Sequence, residues 1–146
     1  MLYVEDHAES VALVEQLLAD RREVLLRAEN ADQAIALARA ERPEVILLNV
    51  DSPGPSGDLG AIAFMNLLRS QSATRTTPIL ALSANASPEA VVKGLEAGFF
   101  QYLAKPLQAK PLMEALVYAL EFAAIEQSEQ RGPPSRRRPQ PSKESR

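Results

Sequence analysis

Short apolar runs alternate with helix-forming segments over the first 127 residues, and this alternation constrains the fold more than any other feature. The predicted strands are 2–5, 23–28, 45–49, 78–84 and 100–104, and the predicted helices are 9–20, 31–41, 59–70, 87–98 and 111–124. The run VILLN (45–49) is apolar without a break until its Asn, as expected of a strand covered on both faces. The pattern therefore predicts a doubly wound α/β fold with a five-stranded parallel sheet and five helices.

Length and composition narrow the class of protein. A chain of 146 residues supports one domain with a buried core. It has no cysteine and one histidine, which excludes disulfides and thiolate metal sites and fits a reducing cytoplasm. The opening MLYVEDHAES lacks the pattern of a signal peptide, and no segment approaches the ~20 apolar residues of a membrane span. We therefore expect a cytoplasmic protein without membrane contact.

Charge is distributed unevenly between the body and the C-terminal end. Six of the 16 basic residues but only one of the 19 acidic residues lie in 131–146, so the tail is near +5 and the rest near −8. The segment RGPPSRRRPQPSKESR is rich in Pro, Ser and Arg, which predicts a disordered tail over 128–146 after a folded domain over 1–127. The acidic body argues against nucleic acid binding by the folded part, and the tail is the alternative site for such contact.

Polar residues follow the predicted strands at the points where ligands bind in parallel α/β sheets. Glu5 and Asp6 follow the first strand, Asn49 ends the third, Ser83 lies in the last residues of the fourth and Lys105 follows the fifth. Two adjacent acids beside an oxygen-bearing residue suit a hard cation such as Mg²⁺. A hydroxyl and a lysine opposite them suit the oxygens of a phosphoryl group.

These stretches together resemble the response regulator receiver domains of two-component signalling, which have the CheY-like fold. The resemblance rests on LYVED, VILLN with the following PG, LALSAN and GFFQYLAKPL, which lie between residues 2 and 107. It therefore covers the predicted folded domain, 1–127. LYVED, LSAN and KPL are similar in particular to receivers attached to hybrid sensor kinases. The resemblance implies a flavodoxin-like strand order of 2-1-3-4-5.

The resemblance also implies roles for individual residues. Glu5 and Asp6 match the Mg²⁺-binding acids, and the backbone of Asp51 would join them as a ligand. Ser83 and Lys105 match the positions that contact the phosphoryl group. Two further implications are that Tyr102 is the aromatic switch residue and that Pro106 follows Lys105 through a cis peptide bond.

Asn49 departs from the family pattern at its central position, where the phosphate-accepting aspartate belongs. An amide carries no negative charge and does not attack a phosphoryl group, and its presence should weaken Mg²⁺ binding. Ser52 and the length of the segment 56–77 depart from the usual pattern as well. We therefore expect Asn49 to be retained for hydrogen bonding in an atypical receiver, although an engineered Asp-to-Asn substitution would look the same.

Several alternatives remain open for these residues. Asp51, or an Asn49 deamidated to Asp, would be a substitute acceptor, since Asp51 lies on the same face of an extended segment. A second interpretation of Lys105 and Ser83 is a polar cluster with Asp6. Tyr102 is equally well explained as a packing residue, and His7, the one histidine, is expected to be exposed and neutral.

The leading hypothesis is a receiver-like signalling module that acts through protein contacts and is not an enzyme. Its partners would be a histidine kinase or an output protein, and residues 87–124 would form the contact surface, including that of a homodimer. The alternatives are a phosphorelay receiver that uses Asp51 or deamidated Asn49, a Mg²⁺-dependent phosphohydrolase and a nucleic-acid adaptor. The phosphohydrolase needs an aspartate nucleophile where the chain has Asn49.

Overall fold

The predicted sheet is present in the computed structural model, which describes residues 1–21 and 24–131. Its five strands are β1 (Leu2–Val4), β2 (Leu26–Ala28), β3 (Ile46–Asn49), β4 (Ile79–Ser83) and β5 (Gln101–Ala104). Residue 23, the first of the predicted second strand, lies outside the described residues. All neighbouring strands are parallel and lie in the order β2-β1-β3-β4-β5. The predicted fold class and strand order are therefore confirmed.

Within residues 1–21 and 24–131, five α-helices connect and flank these strands. They are α1 (Ala8–Leu17), α2 (Ala31–Glu41), α3 (Ala61–Arg69), α4 (Pro88–Ala97) and α5 (Ala109–Arg131), with a 3-10 turn at Gly57–Leu59 before α3. The ends of α4 follow from their sequence signals. The Ser87 side chain accepts a hydrogen bond from the Ala90 N–H, Pro88 occupies the first helical position, and Gly98 ends the helix at φ 118°.

Two apolar clusters cover the two faces of the sheet. Alternate residues of β3 supply both, since Ile46 and Leu48 pack in one cluster and Leu47 packs in the other. Helices α2 and α3 cover the first face, while α1 and α5 cover the second. All three β3 side chains are fully buried, which explains why this strand is continuously apolar. The core thereby fixes the strand ends at one edge of the sheet.

Helix α5 is longer than the sequence pattern indicated. It runs to Arg131, past the predicted helix end at 124 and past the predicted domain boundary at 127. Residues 125–131 read IEQSEQR and contain no helix breaker, and the first Gly-Pro pair follows only at 132–133. Residues 128–131, predicted to belong to the tail, are therefore helical, and the rest of that tail lies outside the described residues.

The segment after α3 folds into a compact turn. The Arg69 guanidinium donates to the carbonyls of Thr74, Arg75 and Thr77, and the Thr74 hydroxyl donates to the carbonyl of Leu68. These bonds occupy part of the segment 56–77, which we expect from the sequence to be longer than usual for the family. Over residues 1–21 and 24–131, no helix has the length and apolar character needed to cross a membrane.

Candidate functional site

Five polar side chains meet at the carboxyl edge of the sheet. Glu5 directly follows β1, Asn49 ends β3, Ser83 ends β4 and Lys105 directly follows β5, while Asp51 lies two residues beyond β3. Parallel strands bring all these positions to the same edge, as the sequence predicted. Hydrogen bonds connect the five side chains into one network.

Glu5 is fully buried, and protein donors satisfy both of its carboxylate oxygens. Its Oε1 accepts from the Tyr3 hydroxyl at 3.1 Å. Its Oε2 accepts from Asn49 Nδ2 at 2.9 Å and from the backbone N–H groups of Asp6 at 3.0 Å and His7 at 3.3 Å. Burial and the nearby Glu5 raise the pKa of the Tyr3 hydroxyl, so this phenol stays protonated and donates. The carboxylate is therefore bound within the protein.

Asn49 uses both ends of its side-chain amide. Its Nδ2 donates to Glu5, while its Oδ1 accepts from Lys105 Nζ at 3.0 Å and from the Asp51 N–H at 3.0 Å. Only one orientation of the amide fits, because a lysine can only donate and a carboxylate can only accept. An aspartate here would lose the donor and face the Glu5 carboxylate. Asn49 thus makes the hydrogen bonds for which we expected it to be retained.

Asp51 is the acceptor for the donors on the other side of the site. Its Oδ1 accepts from Ser83 Oγ at 2.7 Å, both of its oxygens accept from the Ala84 N–H at 3.1 Å, and its Oδ2 accepts from Lys105 Nζ at 3.1 Å. Burial acts to raise the pKa of Asp51, but the bonds from Ser83, Ala84 and Lys105 outweigh it and hold the pKa below its usual value. Asp51 is therefore an anion in a pocket of donors.

From the sequence, Asp51 is expected at the site only as a backbone metal ligand or as a substitute acceptor. One interpretation of Ser83 and Lys105 is a polar cluster with Asp6. The structure instead joins them through Asp51, and Asp6 Oδ1 lies 3.0 Å from His7 Nδ1. The signal that points to Asp51 is the spacing NVD, since side chains two residues apart on an extended segment share a face.

Several of the oxygens that a cation such as Mg²⁺ would use already have partners within the protein. Both oxygens of Glu5 and the amide oxygen of Asn49 already accept hydrogen bonds from the protein. Glu5, Asp6 and His7 form an acidic cluster whose ligand atoms lie within 4.8 Å of one another. Mg²⁺ prefers oxygen ligands, so the imidazole of His7 is a poor ligand for it. Glu5 is fully buried, and the Asp6 carboxylate is therefore the one in this cluster that is exposed to solvent.

Tyr102 and His7 occupy the rim of the site. The Tyr102 hydroxyl donates to the Asn85 carbonyl at 2.9 Å, and its ring lies against Gly94 of α4. Tyr102 therefore packs on α4 and also holds the loop after β4. His7 is 67% exposed at the start of α1, as predicted. The Lys105–Pro106 peptide bond is cis, which confirms the expectation, and the Ser52–Pro53 bond is cis as well.

Comparison with known proteins identifies the family of this chain. The sequence model of the family described as response regulator receiver domain matches residues 1–117 of this chain. The phosphate regulon transcriptional regulatory protein PhoB of Klebsiella pneumoniae is 32% identical over 130 residues, which cover 87% of this chain and 55% of PhoB. This chain belongs to the response regulator receiver family.

Two further proteins similar to this chain differ in how much of their own length the receiver domain covers. The sensor histidine kinase AruS of Pseudomonas aeruginosa is 34% identical over 118 residues, covering 80% of this chain and 11% of AruS. The crystal structure of the chemotaxis response regulator CheY4 of Vibrio cholerae has a TM-score of 0.70 at 29% identity and covers 82% of this chain and 96% of CheY4. The chain spans about half of PhoB and a small part of AruS. The receiver fold is thereby confirmed, and a sensor histidine kinase is among the relatives, as the resemblance implied.

Proposed function

We propose that this receiver domain is an atypical signalling module that does not accept phosphate at position 49. The observation that carries the proposal is the hydrogen bond from Asn49 Nδ2 to the buried Glu5 carboxylate. The amide has no anionic oxygen to attack a phosphoryl group, and its nitrogen faces the carboxylate that a metal would need. Mg²⁺ binding should be weakened for the same reason.

The domain would signal through protein contacts, with a histidine kinase or an output protein as partner. Several large apolar side chains on α4 and α5 support a contact surface over residues 87–124, since they are exposed: Val92, Leu95, Val117 and Tyr118. A second copy of the chain is one partner for this surface. The state of the domain would then depend on which partner is bound.

Exposure to acetyl phosphate and Mg²⁺, followed by intact-mass measurement, tests the absence of phosphorylation. We expect no added phosphoryl mass on the wild-type chain. A phosphoryl adduct that peptide mapping places at position 49 would overturn the proposal. Wild-type protein should likewise hydrolyse no generic phosphate ester, since the domain is proposed not to be an enzyme.

Asp51 as a substitute acceptor is the second candidate. The observation that favours it is an ionised carboxylate 3.1 Å from Lys105 Nζ. Against it, Ser83 and Lys105, which would hold the incoming phosphoryl group, already bind the Asp51 oxygens. An adduct that maps to residue 51 and disappears in Asp51→Asn would support this candidate and contradict the leading one.

Self-association through residues 87–124 is tested by measuring mass in solution across protein concentrations. Val92→Asp on α4 should weaken any dimer, while Leu13→Asp on α1 is the matched control at another exposed apolar position. A wild-type chain that stays monomeric at high concentration would contradict the homodimer, and equal weakening by both variants would contradict this choice of surface.

A further inference from the structure

Three donors from two strand ends form a small niche. They are the Ser83 hydroxyl, the Ala84 N–H and the Lys105 ammonium, and we call this set the oxyanion niche. All three donate to the Asp51 carboxylate, at distances from 2.7 to 3.1 Å. One of the donors is cationic, one is a hydroxyl and one is a backbone amide, which is the mixture that binds oxyanions in proteins.

The niche contains the residues that the sequence assigns to phosphoryl contact. Ser83 and Lys105 received that assignment from the family resemblance, and Ala84 adds a backbone donor beside them. Asp51 presents two oxygens and a negative charge to these donors, so its carboxylate supplies the chemistry that an incoming oxyanion would supply. An acceptor from the same chain therefore satisfies all three donors.

A line of contacts leads from this niche to α4. Ser83 Oγ accepts from the Asn85 N–H at 3.0 Å while it donates to Asp51. The Asn85 carbonyl accepts from the Tyr102 hydroxyl at 2.9 Å. The Tyr102 ring packs so closely on Gly94 that a Cβ there would lie 2.6 Å from it. The Asp51 carboxylate thus positions the Ser83 hydroxyl. Ser83 in turn helps to position the loop after β4 and the Tyr102 ring, which faces α4.

We propose that Asp51 is a built-in anionic ligand of the oxyanion niche, which keeps the loop after β4 and Tyr102 in an anion-bound arrangement without phosphorylation. This inference rests on the proposed function, because it describes how the same site is regulated. It has a direct chemical consequence. Removing the carboxylate should leave a vacant site for a small oxyanion, and inorganic phosphate is the probe of that site.

Phosphate titration followed by NMR at the Ala84 amide tests the proposal in a buffer without Mg²⁺. Asp51→Ala empties the niche, Asp51→Asn keeps the volume but drops the charge, and Asp58→Asn removes an exposed acid from the same loop. Wild type and Asp58→Asn should show no saturable shift. Asp51→Ala should bind phosphate about tenfold or more tightly than wild type, which corresponds to about 1.4 kcal/mol. If Asp51→Ala does not fold, the phosphate affinity of Asp51→Asn is compared with that of wild type instead. Equal affinity of these two proteins would then overturn the proposal.

Hydrogen exchange at the Asn85 amide provides the second readout, since this N–H donates to Ser83. Exchange should become faster in Asp51→Ala and slow again when phosphate is added. Equal phosphate binding by wild type and Asp51→Ala, or unchanged Asn85 exchange, would overturn the proposal. Neither readout involves a phosphodonor, so failure here is distinct from finding an adduct at position 49.

Discussion

The two halves of the site meet their hydrogen-bonding needs in opposite ways. In the acidic half, Glu5 and Asn49 are almost completely buried, at 0% and 3% exposure. In the donor half, formed by Asp51, Ser83 and Lys105, the Asp51 and Lys105 side chains are 28% and 23% exposed. The acidic half contains an internal donor at position 49, whereas the donor half contains an internal acceptor at position 51.

Partners within the chain therefore hold the geometry of both halves of the site. The amide of Asn49 donates to Glu5, whose Oε1 also lies 4.0 Å from Lys105 Nζ. The carboxylate of Asp51 supplies to Lys105 the negative charge that an oxyanion would supply. Breaking a hydrogen bond or ion pair should cost more free energy in the more buried half, because an unpaired charge is less stable the further it is from water. We therefore expect substitutions in the acidic half to have the larger effects.

Glu5→Ala should have the largest effect on stability. It leaves the Tyr3 hydroxyl and the Asn49 amide without their buried acceptor, which should lower the free energy of unfolding by about 3 kcal/mol or more. Urea denaturation measures the change. Glu9→Ala on the exposed surface of α1 is the control and should stay within about 0.5 kcal/mol of wild type. A loss no larger than that of the control would contradict the role given to Glu5.

Asn49→Asp should have the next largest effect and should make stability depend on Mg²⁺. The new carboxylate loses the donor to Glu5 and repels it, which should cost about 1–3 kcal/mol without metal. Mg²⁺ should restore part of this loss and should leave the wild-type melting temperature nearly unchanged. If Mg²⁺ raised the melting temperatures of wild type and Asn49→Asp equally, the claim that the Asn49 amide takes the place of a bound cation would be wrong.

Asp51→Asn should cost about 1 kcal/mol or less at neutral pH, because the carboxylate is partly exposed and screened. The folded-state pKa of Asp51 is lowered, so its stabilisation is present above the ordinary Asp pKa of about 3.9 and is lost as the pH falls through the folded value. The difference between wild type and variant should therefore shrink in acid. Unfolding curves from neutral to acidic pH measure it, and a constant difference would contradict the assignment.

Gly94→Ala should give the smallest net change. Alanine favours a helix by about 1 kcal/mol, but its Cβ would lie 2.6 Å from the Tyr102 ring and displace it. We expect Gly94→Ala to stabilise the chain only in a Tyr102→Ala background, as measured by a double-mutant cycle. Stabilisation of the wild-type background to the same extent would show that Tyr102 does not depend on this packing.

Much of the fold follows from local pattern, while the internal partners of the site do not. The bounds of α2 match the prediction, 31–41, because strong helix formers fill it and Asn30 caps it. The carboxyl ends of the strands lie within one residue of the prediction, since buried parallel strands are continuously apolar. The direction of the Asp51 side chain depends on the geometry of three separate strands, and a sequence pattern does not specify it. The extension of α5 to Arg131 does not follow from the sequence pattern, because the apolar repeat ends near residue 124 and the segment rich in Pro, Ser and Arg begins at residue 131.

The proposed function rests on two assignments: position 49 does not accept phosphate, and Asp51 occupies the oxyanion niche. Intact-mass measurement after acetyl phosphate and Mg²⁺ treatment tests both on wild type, the single variants N49D and D51N, and the double variant N49D/D51N. We predict no adduct on wild type or D51N, slow labelling of N49D and faster labelling of the double variant. A phosphoryl adduct on the wild-type chain, or equal labelling of N49D and the double variant, would contradict these assignments.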